Sequence, residues 1–317
     1  MHQPHPVSGR QHLLVHGDYV ATVASVGASL RELRHRGRDL VVPFEADQLR
    51  PKFRGATLAP WPNRVADGRY EFGGVEHQLA LTEPDRGNAL HGLAVWLEFH
   101  TVAESDDTVT LEAVIEPQAG YPWRIAVETT FRLGDDGLTQ SVRTTNLSET
   151  TAPVGVGPHP YLVAGPFPLD TWTLRLPADQ VLTVTEDRLL PVELVGVEVD
   201  PGRFDCREAR AIGVVKIDHA FTGLWRDGRG LATVSLAAPD HHGVTMTWDA
   251  ACPWVQIHTA DLPGAAGTPA DRLGLAVEPM TCAPDAFNAD RYAHPTGLWL
   301  LGPGATAEAG WTIAALG

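Results

Sequence analysis

Strict alternation of apolar and polar residues is the feature that most constrains how this chain can fold. Between residues 124 and 133, the small or apolar face carries Ile125, Val127, Thr129, Phe131 and Leu133, and the other face carries Arg124, Glu128, Thr130 and Arg132. A period of two is the spacing of side chains along a β-strand. The turn residues 134–137 (Gly-Asp-Asp-Gly) follow, and an extended pattern resumes over residues 138–147. This segment therefore predicts an antiparallel hairpin.

The same alternation recurs along the chain, whereas helical periodicity is scarce. Residues 69–72 and 75–81 flank Gly73-Gly74 and predict a second hairpin, and residues 244–248 and 311–315 also alternate. The 31 Gly and 25 Pro residues are spread throughout, so they separate many short strands and mark no single linker. The sequence predicts an all-β fold: one large antiparallel β-sandwich domain over residues 1–317, with a flexible tail over residues 1–10. We also expect a flexible surface loop over residues 260–271.

Charge and cysteine content restrict the partners and the compartment. The chain has 24 Lys and Arg against 39 Asp and Glu residues, a formal net charge of −15. This acidic balance argues against nucleic acid as a partner. No apolar run approaches the roughly 18 residues that span a bilayer, and the first residues lack the apolar segment of a secretory signal, so we expect no membrane partner. Three scattered cysteines form no CxxC pair, which favours a reducing, cytoplasmic location.

Five polar segments interrupt the strand pattern, each beside Gly or Pro or at a strand start. They are Asn63-Arg64, Leu90-His91-Gly92, Pro158-His159-Pro160-Tyr161, Asp218-His219-Ala220-Phe221 and Val277-Glu278-Pro279. Residues this far apart in sequence converge only if the fold brings them together. One His and one Glu that face a common pocket are sufficient for general acid–base chemistry.

These segments, in this order, resemble motifs of the aldose 1-epimerases, also called galactose mutarotases. The resemblance runs from about Val26 to the C-terminus and includes NR(I/V)xxG at residues 63–68, LHG at 90–92, the segment 151–162, DHxF at 218–221, and the stretch 277–288. It implies a large antiparallel β-sandwich of the galactose mutarotase type. It also implies an isomerase that interconverts the α and β anomers of a free sugar.

The resemblance assigns roles to individual residues. It implies that Glu278 is the catalytic base and His159 the catalytic acid. The implied sugar-binding residues are Arg64, His91 and Asp218, and Asn63, Tyr161 and Trp254 are further candidates for substrate contacts. Opening a cyclic hemiacetal requires removal of the C1 hydroxyl proton and protonation of the ring oxygen, which a carboxylate and an imidazolium perform together. We therefore expect a monosaccharide as the small-molecule partner and no cofactor.

Each assigned residue also has a structural alternative. Flanking prolines could simply fix His159 in a loop, Glu278 could be a buried structural carboxylate, and Arg64 could form a structural salt bridge. His219 is a second imidazole near the site, but it does not match the catalytic position of the family. Trp254, like Trp61 and Trp96, could stack on the apolar face of a sugar or pack in the core.

Fourteen His residues make a metal site worth considering. The adjacent pair His241-His242 would point to opposite faces of a strand, and His2, His5, His12 and His16 lie in or near the predicted tail. No set of these residues has the spacing of zinc ligands. The sequence therefore predicts no metal.

The substrate and the oligomeric state stay open at this stage. Pro158, Pro160, Met280 and His258 depart from residues common in the family near the sugar, so substrate identity is in more doubt than reaction type. Arg50, Lys52 and Arg54 could contact an anionic sugar, such as a hexose phosphate or a sulfonated hexose. A non-catalytic sugar-binding module on the same fold is a further alternative. Both a monomer and a homodimer are compatible with the sequence.

Overall fold

The structure is a computed structural model that describes residues 6–261, 264, 266–268 and 270–317. Within these residues the regular structure is almost entirely β. The strands, in chain order, are β1 (Gln11–His16), β2 (Tyr19–Ala24), β3 (Ser29–His35), β4 (Arg38–Asp39), β5 (Thr57–Leu58), β6 (Arg64–Ala66), β7 (Arg69–Phe72), β8 (Val75–Gln78), β9 (Asn88–Leu90), β10 (His100–Glu104), β11 (Thr108–Ile115), β12 (Ile125–Gly134), β13 (Gly137–Asn146), β14 (Ala152–Val154), β15 (Gly157–Pro158), β16 (Tyr161–Leu162), β17 (Thr173–Arg175), β18 (Ala178–Val184), β19 (Pro191–Gly196), β20 (Arg210–Ala211), β21 (Asp218–Leu224), β22 (Ala232–Ala237), β23 (Gly243–Trp248), β24 (Trp254–His258), β25 (Leu275–Met280), β26 (Trp299–Leu301) and β27 (Thr306–Leu316).

Helical segments in the described ranges are short, with three to six residues each. The 3-10 turns are Pro51–Phe53, Pro84–Arg86, Ala94–Trp96, Leu169–Thr171, Val197–Val199 and Ala286–Arg291, and the α-helical turn α1 is Pro201–Phe204. None of these helices is long and apolar enough to cross a membrane.

Two antiparallel sheets dominate the described part of the chain. The larger has nine strands in the order β10-β11-β12-β13-β27-β23-β22-β17-β20, and the smaller has six in the order β16-β25-β24-β21-β18-β19. Apolar side chains from both sheets belong to one continuous core. Burial of this shared core is the main stabilising term for such a sandwich. The all-β antiparallel architecture predicted from the alternation is confirmed.

Both predicted hairpins are present. Strands β12 and β13 pair from Ile125↔Asn146 to Gly134↔Gly137, and β7 and β8 pair from Arg69↔Gln78 to Phe72↔Val75. The second hairpin closes on Gly73 and Gly74, both with positive φ (61° and 78°). Positive φ at both central residues is what a type I′ turn requires, and glycine adopts it without steric cost.

The six-stranded sheet separates the core from the polar segments. On β24 and β25, Val255, Ile257 and Val277 are fully buried in the shared apolar core. Successive side chains on a strand point to opposite faces. The alternate residues Gln256 and Glu278 therefore point to the other face, where they are opposite each other in register. This face carries the polar side chains described below.

Two predicted flexible segments are only partly described. Of the predicted tail over residues 1–10, residues 1–5 lie outside the described residues. Ser8 is 5% exposed, and its hydroxyl donates a hydrogen bond to the carbonyl of Ala46 at 2.8 Å, so the chain is packed at this point. The predicted loop over residues 260–271 includes positions 262, 263, 265 and 269, which also lie outside the described residues.

Candidate active site

Most of the residues singled out in the sequence line a single open cavity. Its volume is about 650 Å³, within the range of roughly 300–1,000 Å³ typical of small-molecule sites. The wall includes Arg64, His91, His159, Tyr161 and Asp218. These residues come from four separate strand ends, so the convergence expected from the sequence takes place.

A tight turn positions His91 beside Arg64. Arg64 begins β6 and is paired with Leu90 at the end of β9, so the next residue, His91, emerges on the same side of the cavity. His91 has φ 63°, and its backbone N–H donates to the carbonyl of Asn63 at 2.8 Å. A Cβ at the following Gly92 would lie 2.2 Å from the carbonyl oxygen of Ala59, so only glycine fits there.

The backbone on either side of His159 is fixed by strand β5 and the residues before it. The N–H of His159 donates to Ala56 at 3.1 Å, and its carbonyl accepts from Gly55 at 2.8 Å. Pro158 is opposite Thr57 in the short β15–β5 pairing. Pro158 and Pro160 have no N–H to donate, and the ring of each fixes its φ. The flanking prolines thus hold His159 rigidly at the cavity wall.

Glu278 lies directly behind His159. The Nε2 atom of His159 is 3.6 Å from Oε1 of Glu278, and the two side chains are only 6% and 3% exposed. The imidazoles of His91 and His159 meet edge-to-face, with ring centroids 4.9 Å apart. Within the described part of the chain, His91 Nδ1, His159 Nδ1 and Glu278 Oε2 are buried and lack a hydrogen-bond partner. Buried polar atoms are normally satisfied, so these three mark a place where a polar ligand would bind.

Burial opposes charge on both members of the pair. It lowers the pKa of His159 to about 3. Burial, followed by repulsion from Asp218, holds the pKa of Glu278 well above its usual range, and the nearby Arg64 offsets part of this effect. Burial and the neighbouring His159 likewise lower the pKa of His91. Strongly shifted groups that share a cavity are typical of catalytic sites.

Asp218 begins β21, the strand next to β24 in the six-stranded sheet. Gln256 Nε2 donates to its Oδ1 at 2.6 Å, and His258 Nδ1 is 3.8 Å from its Oδ2. Burial acts to raise the pKa of Asp218, but the positive fields of His258 and Arg64 outweigh it and lower the pKa. Asp218 is therefore an ionised acceptor that faces the cavity.

A carboxylate missed by the sequence reasoning holds Arg64. Glu83 accepts two hydrogen bonds from Arg64, at 2.8 Å from Nε and 3.0 Å from Nη2, and Asn88 Nδ2 donates to Glu83 at 3.0 Å. This bidentate pair fixes the guanidinium and leaves Nη1 directed elsewhere, with only a 3.5 Å contact to Asn63. Glu83 follows Thr82 in a loop without a strand pattern, so no periodicity could have indicated its role.

Two expected substrate-contact residues do not line the cavity. Trp254 is 2% exposed and packs in a small apolar cluster with Met280, Ala283 and Leu182. It shares a face with Glu278, but it is opposite Met280, two residue pairs along from the Gln256↔Glu278 pair, where apolar side chains cover it. Asn63 is 3% exposed and acts on the site through its contacts with His91 and Arg64.

Phe53 is a second aromatic residue of the cavity wall beside Tyr161, and the sequence gave no indication of this role. Its ring lies 4.8 Å from that of His91 and 6.2 Å from that of His159. Phe53 and Lys52 have positive φ values of 57° and 48°, a strained backbone for non-glycine residues that is found most often at functional sites. The Tyr161 hydroxyl donates to the Lys52 carbonyl at 3.3 Å.

The basic group of residues 50–54 does not act as one cationic patch. Arg50 is buried and donates to the carbonyls of Val26 and Val95, and Arg54 donates to the carbonyl of Pro43 at 3.1 Å. Of these three cations, Lys52 alone lines the cavity.

Three potential metal ligands meet at the cavity wall, where Glu278 lies behind the lining residues His91 and His159, although their sequence spacing gave no indication of it. His91, His159 and Glu278 each offer a ligand atom, and these atoms lie within 4.8 Å of one another. The same donors suit proton transfer, so their proximity serves two kinds of chemistry. The prediction that the protein needs no metal stays a prediction.

Comparison with known proteins shows the family and the fold of the chain. The model of the aldose 1-epimerase family matches residues 10–304. The protein YihR of Escherichia coli (strain K12) is 35% identical over 283 residues, which cover 89% of this chain and 87% of YihR. Among solved structures, a GalM/aldose epimerase homologue from C. elegans matches 97% of this chain and 99% of its own, with a TM-score of 0.81 and 18% identity. The galactose 1-epimerase of Lactobacillus acidophilus NCFM matches 96% and 94%, with a TM-score of 0.75 and 18% identity.

The chain belongs to the aldose 1-epimerase family, and its fold is that of the galactose mutarotase-like proteins. Family membership supports a sugar epimerase, that is, an isomerase whose ligand is a monosaccharide.

Proposed function

We propose that the protein interconverts the α and β anomers of a free aldose by acid–base ring opening and closure, without a cofactor. The observation that carries this proposal is the buried His159–Glu278 pair, with 3.6 Å between Nε2 and Oε1, whose outer atoms lack partners within the described residues. A sugar hydroxyl and a ring oxygen are the complementary groups, since one donates and the other accepts.

In the proposed reaction, Glu278 removes the proton from the C1 hydroxyl while His159 protonates the ring oxygen. The C1–O5 bond breaks and a C1 carbonyl forms. Rotation about C1–C2 presents the other face of the carbonyl, and reversal of the two proton transfers closes the ring as the other anomer. Burial disfavours the charged forms of both residues, so ionised Glu278 and protonated His159 are the less populated pair, but a stronger base and a stronger acid than the same groups in water.

The remaining residues of the cavity bind and orient the sugar. Arg64 Nη1 and His91 donate to ring hydroxyls, and ionised Asp218 accepts from another. Tyr161 adds a polar wall. The face of Phe53 stacks on the apolar C–H face of the ring, the role that the sequence reasoning had considered for Trp254. This division fits a typical sugar site, in which few polar groups set orientation and an aromatic surface supplies contact area.

We propose a neutral hexose as the better substrate compared with its 6-phosphate. Glu83 already engages Arg64 through two hydrogen bonds, and the cavity wall also carries Asp85, Asp187 and Asp261, which repel a dianion. The specific observation that favours an anionic sugar instead is that Lys52 and Arg86 also line the wall.

Anomer exchange measured by polarimetry or NMR tests both proposals. Fresh single-anomer samples of glucose, galactose, a hexose 6-phosphate and a sulfonated hexose would be compared at low and moderate salt, after exhaustive chelation. We expect exchange that survives chelation, with a higher kcat/KM for a neutral hexose. A preference for an anionic sugar that Lys52→Ala abolishes would overturn the substrate assignment, and no exchange of any sugar would overturn the reaction.

A cytoplasmic location is also proposed; three free, buried cysteines support it.

A further inference from the structure

We propose that His91, His159 and Glu278 also form an inhibitory site for Zn²⁺, which the metal occupies in competition with the sugar. This inference rests on the proposed function only in that both ligands use the same side chains. Two imidazoles and one carboxylate are a ligand set that zinc adopts with a fourth position left open for a small molecule.

The geometry is close to that of a zinc site. The three ligand atoms lie within 4.8 Å of one another. His159 Nε2 and Glu278 Oε1 are 3.6 Å apart. Zinc–nitrogen bonds of about 2.0–2.1 Å put neighbouring ligand atoms of a tetrahedral site roughly 3.3 Å apart. An inward shift of less than about 1 Å for each donor closes this gap, and the broad terminal torsions of His and Glu permit it.

The donor atoms are available and desolvated. The buried atoms His91 Nδ1, His159 Nδ1 and Glu278 Oε2 make no hydrogen bond to any described residue, and His159 Nε2 and Glu278 Oε1, at 3.6 Å, are beyond hydrogen-bond distance of each other. Unsatisfied buried donors and acceptors are costly, so a ligand that engages them gains free energy without first breaking protein hydrogen bonds. The cavity that His91 and His159 line is open to solvent, which provides an entry path.

The surrounding charges permit a dication. Arg64 opposes binding, but its guanidinium is held by Glu83 at 2.8 and 3.0 Å. Asp218, which faces the same cavity, adds a second carboxylate to that of Glu278. Imidazole-rich sites favour zinc over magnesium and calcium, which prefer oxygen ligands. Bound zinc would occupy the lone pairs that Glu278 and His159 need for proton transfer, so the metal inhibits.

Calorimetric titration of the chelator-treated protein with ZnCl₂ tests the site without any use of activity. We expect one Zn²⁺ to bind per chain and Mg²⁺ not to bind. Co²⁺ added in place of Zn²⁺ should give the visible absorption spectrum of a tetrahedral cobalt site. His91→Asn should weaken zinc binding at least tenfold. The double variant His241→Asn/His242→Asn, which removes two exposed surface imidazoles, should bind zinc normally. A sugar that is turned over should weaken apparent zinc affinity, and zinc should inhibit exchange competitively.

Two results would overturn the proposal: zinc affinity unchanged in both His91→Asn and Glu278→Gln, or zinc affinity unchanged by saturating sugar. Thermal unfolding of each variant separates a lost ligand from a lost fold. Anomer exchange by the metal-free protein is an independent measurement. Failure of exchange with normal zinc binding would refute the proposed reaction alone, and normal exchange without zinc binding would refute this site alone.

Discussion

Two buried polar clusters of this protein are built in opposite ways. In the nine-stranded sheet, Gln140 is 3% exposed; its Nε2 donates to Thr57 at 3.0 Å and Thr129 at 3.3 Å, and its Oε1 accepts from Trp311 Nε1 at 3.0 Å. In the cavity, His159 and Glu278 are as deeply buried, yet each retains a buried atom without a partner among the described residues.

The difference separates a structural role from a chemical one. A fully satisfied cluster stabilises one arrangement of strands, because every alternative pairing would leave a buried donor or acceptor unpaired. An incompletely satisfied cluster costs stability, and the protein retains it where a ligand supplies the missing partners. Substitutions in the cavity should therefore affect turnover, and substitutions at Gln140 should affect stability.

The largest effect is expected for Glu278→Gln. The amide keeps the shape of the side chain but cannot accept the C1 hydroxyl proton, so we expect turnover to fall by about 10²–10⁴-fold. Anomer exchange by NMR measures the loss, and urea unfolding should show stability close to that of the parent protein. Near-native turnover would remove Glu278 from the role of base.

A comparison of two imidazoles sharpens the assignment of the acid. His159→Asn should lose turnover by a factor similar to that for Glu278→Gln. His219→Asn should lose much less, because His219 points to the opposite face of β21 from Asp218 and contacts Phe204 with ring centroids 4.9 Å apart. The two variants would be assayed side by side with the same sugar. A reversed order of losses would show that the acid is His219.

The converse prediction concerns Gln140→Met. Methionine fills a similar volume but leaves Trp311 Nε1 without its acceptor, so we expect the free energy of unfolding to fall by about 1–3 kcal/mol. Urea denaturation monitored by tryptophan fluorescence measures it, and kcat should be unchanged under conditions where the protein is folded. A loss of kcat without a loss of stability would contradict the division between the two clusters.

The smallest effect is expected for Phe53→Leu. Loss of an aromatic contact costs about 0.5–1.5 kcal/mol, which corresponds to a rise in KM of roughly two- to tenfold with little change in kcat. Trp96→Leu is the matched control, because Trp96 is 50% exposed, lies 6.1 Å from the Phe53 ring and is not among the cavity-lining residues. Equal effects of both variants on KM would argue against stacking on Phe53.

The parts of the fold that can be predicted from the sequence are those for which a local residue pattern is sufficient. Period-two alternation predicted the hairpin of β12 and β13, because side-chain direction on a strand depends only on local geometry. The family motifs indicated Arg64, His91, His159, Asp218 and Glu278; the structure puts the first four on one cavity wall and Glu278 against His159, and the roles of all five stay predictions. The resemblance could transfer these positions because each motif is short and contiguous.

The sequence failed where long-range register decides. Trp254 shares a face of β24 with Gln256. It lies two residue pairs further along, however, where it is opposite Met280 and packs against it. Glu83 and Phe53 lie in irregular segments, whose side-chain directions follow no period. Glu83 contacts Arg64, and Phe53 contacts His91. Neither pair is related by a periodic spacing in the sequence, so no local pattern connects its two members.

The residue pattern and the motifs are sufficient to predict an antiparallel β protein of the aldose 1-epimerase family with one Glu and one His suited to acid–base chemistry. Only the folded chain shows that His159 and Glu278 lie 3.6 Å apart, that His91 completes a three-donor cluster with them, and that Glu83 engages Arg64. The physical reason is that alternation and motifs are local properties of the chain. Distances between strand ends arise only when strand pairing and the packing of two sheets fix the register of the whole sandwich.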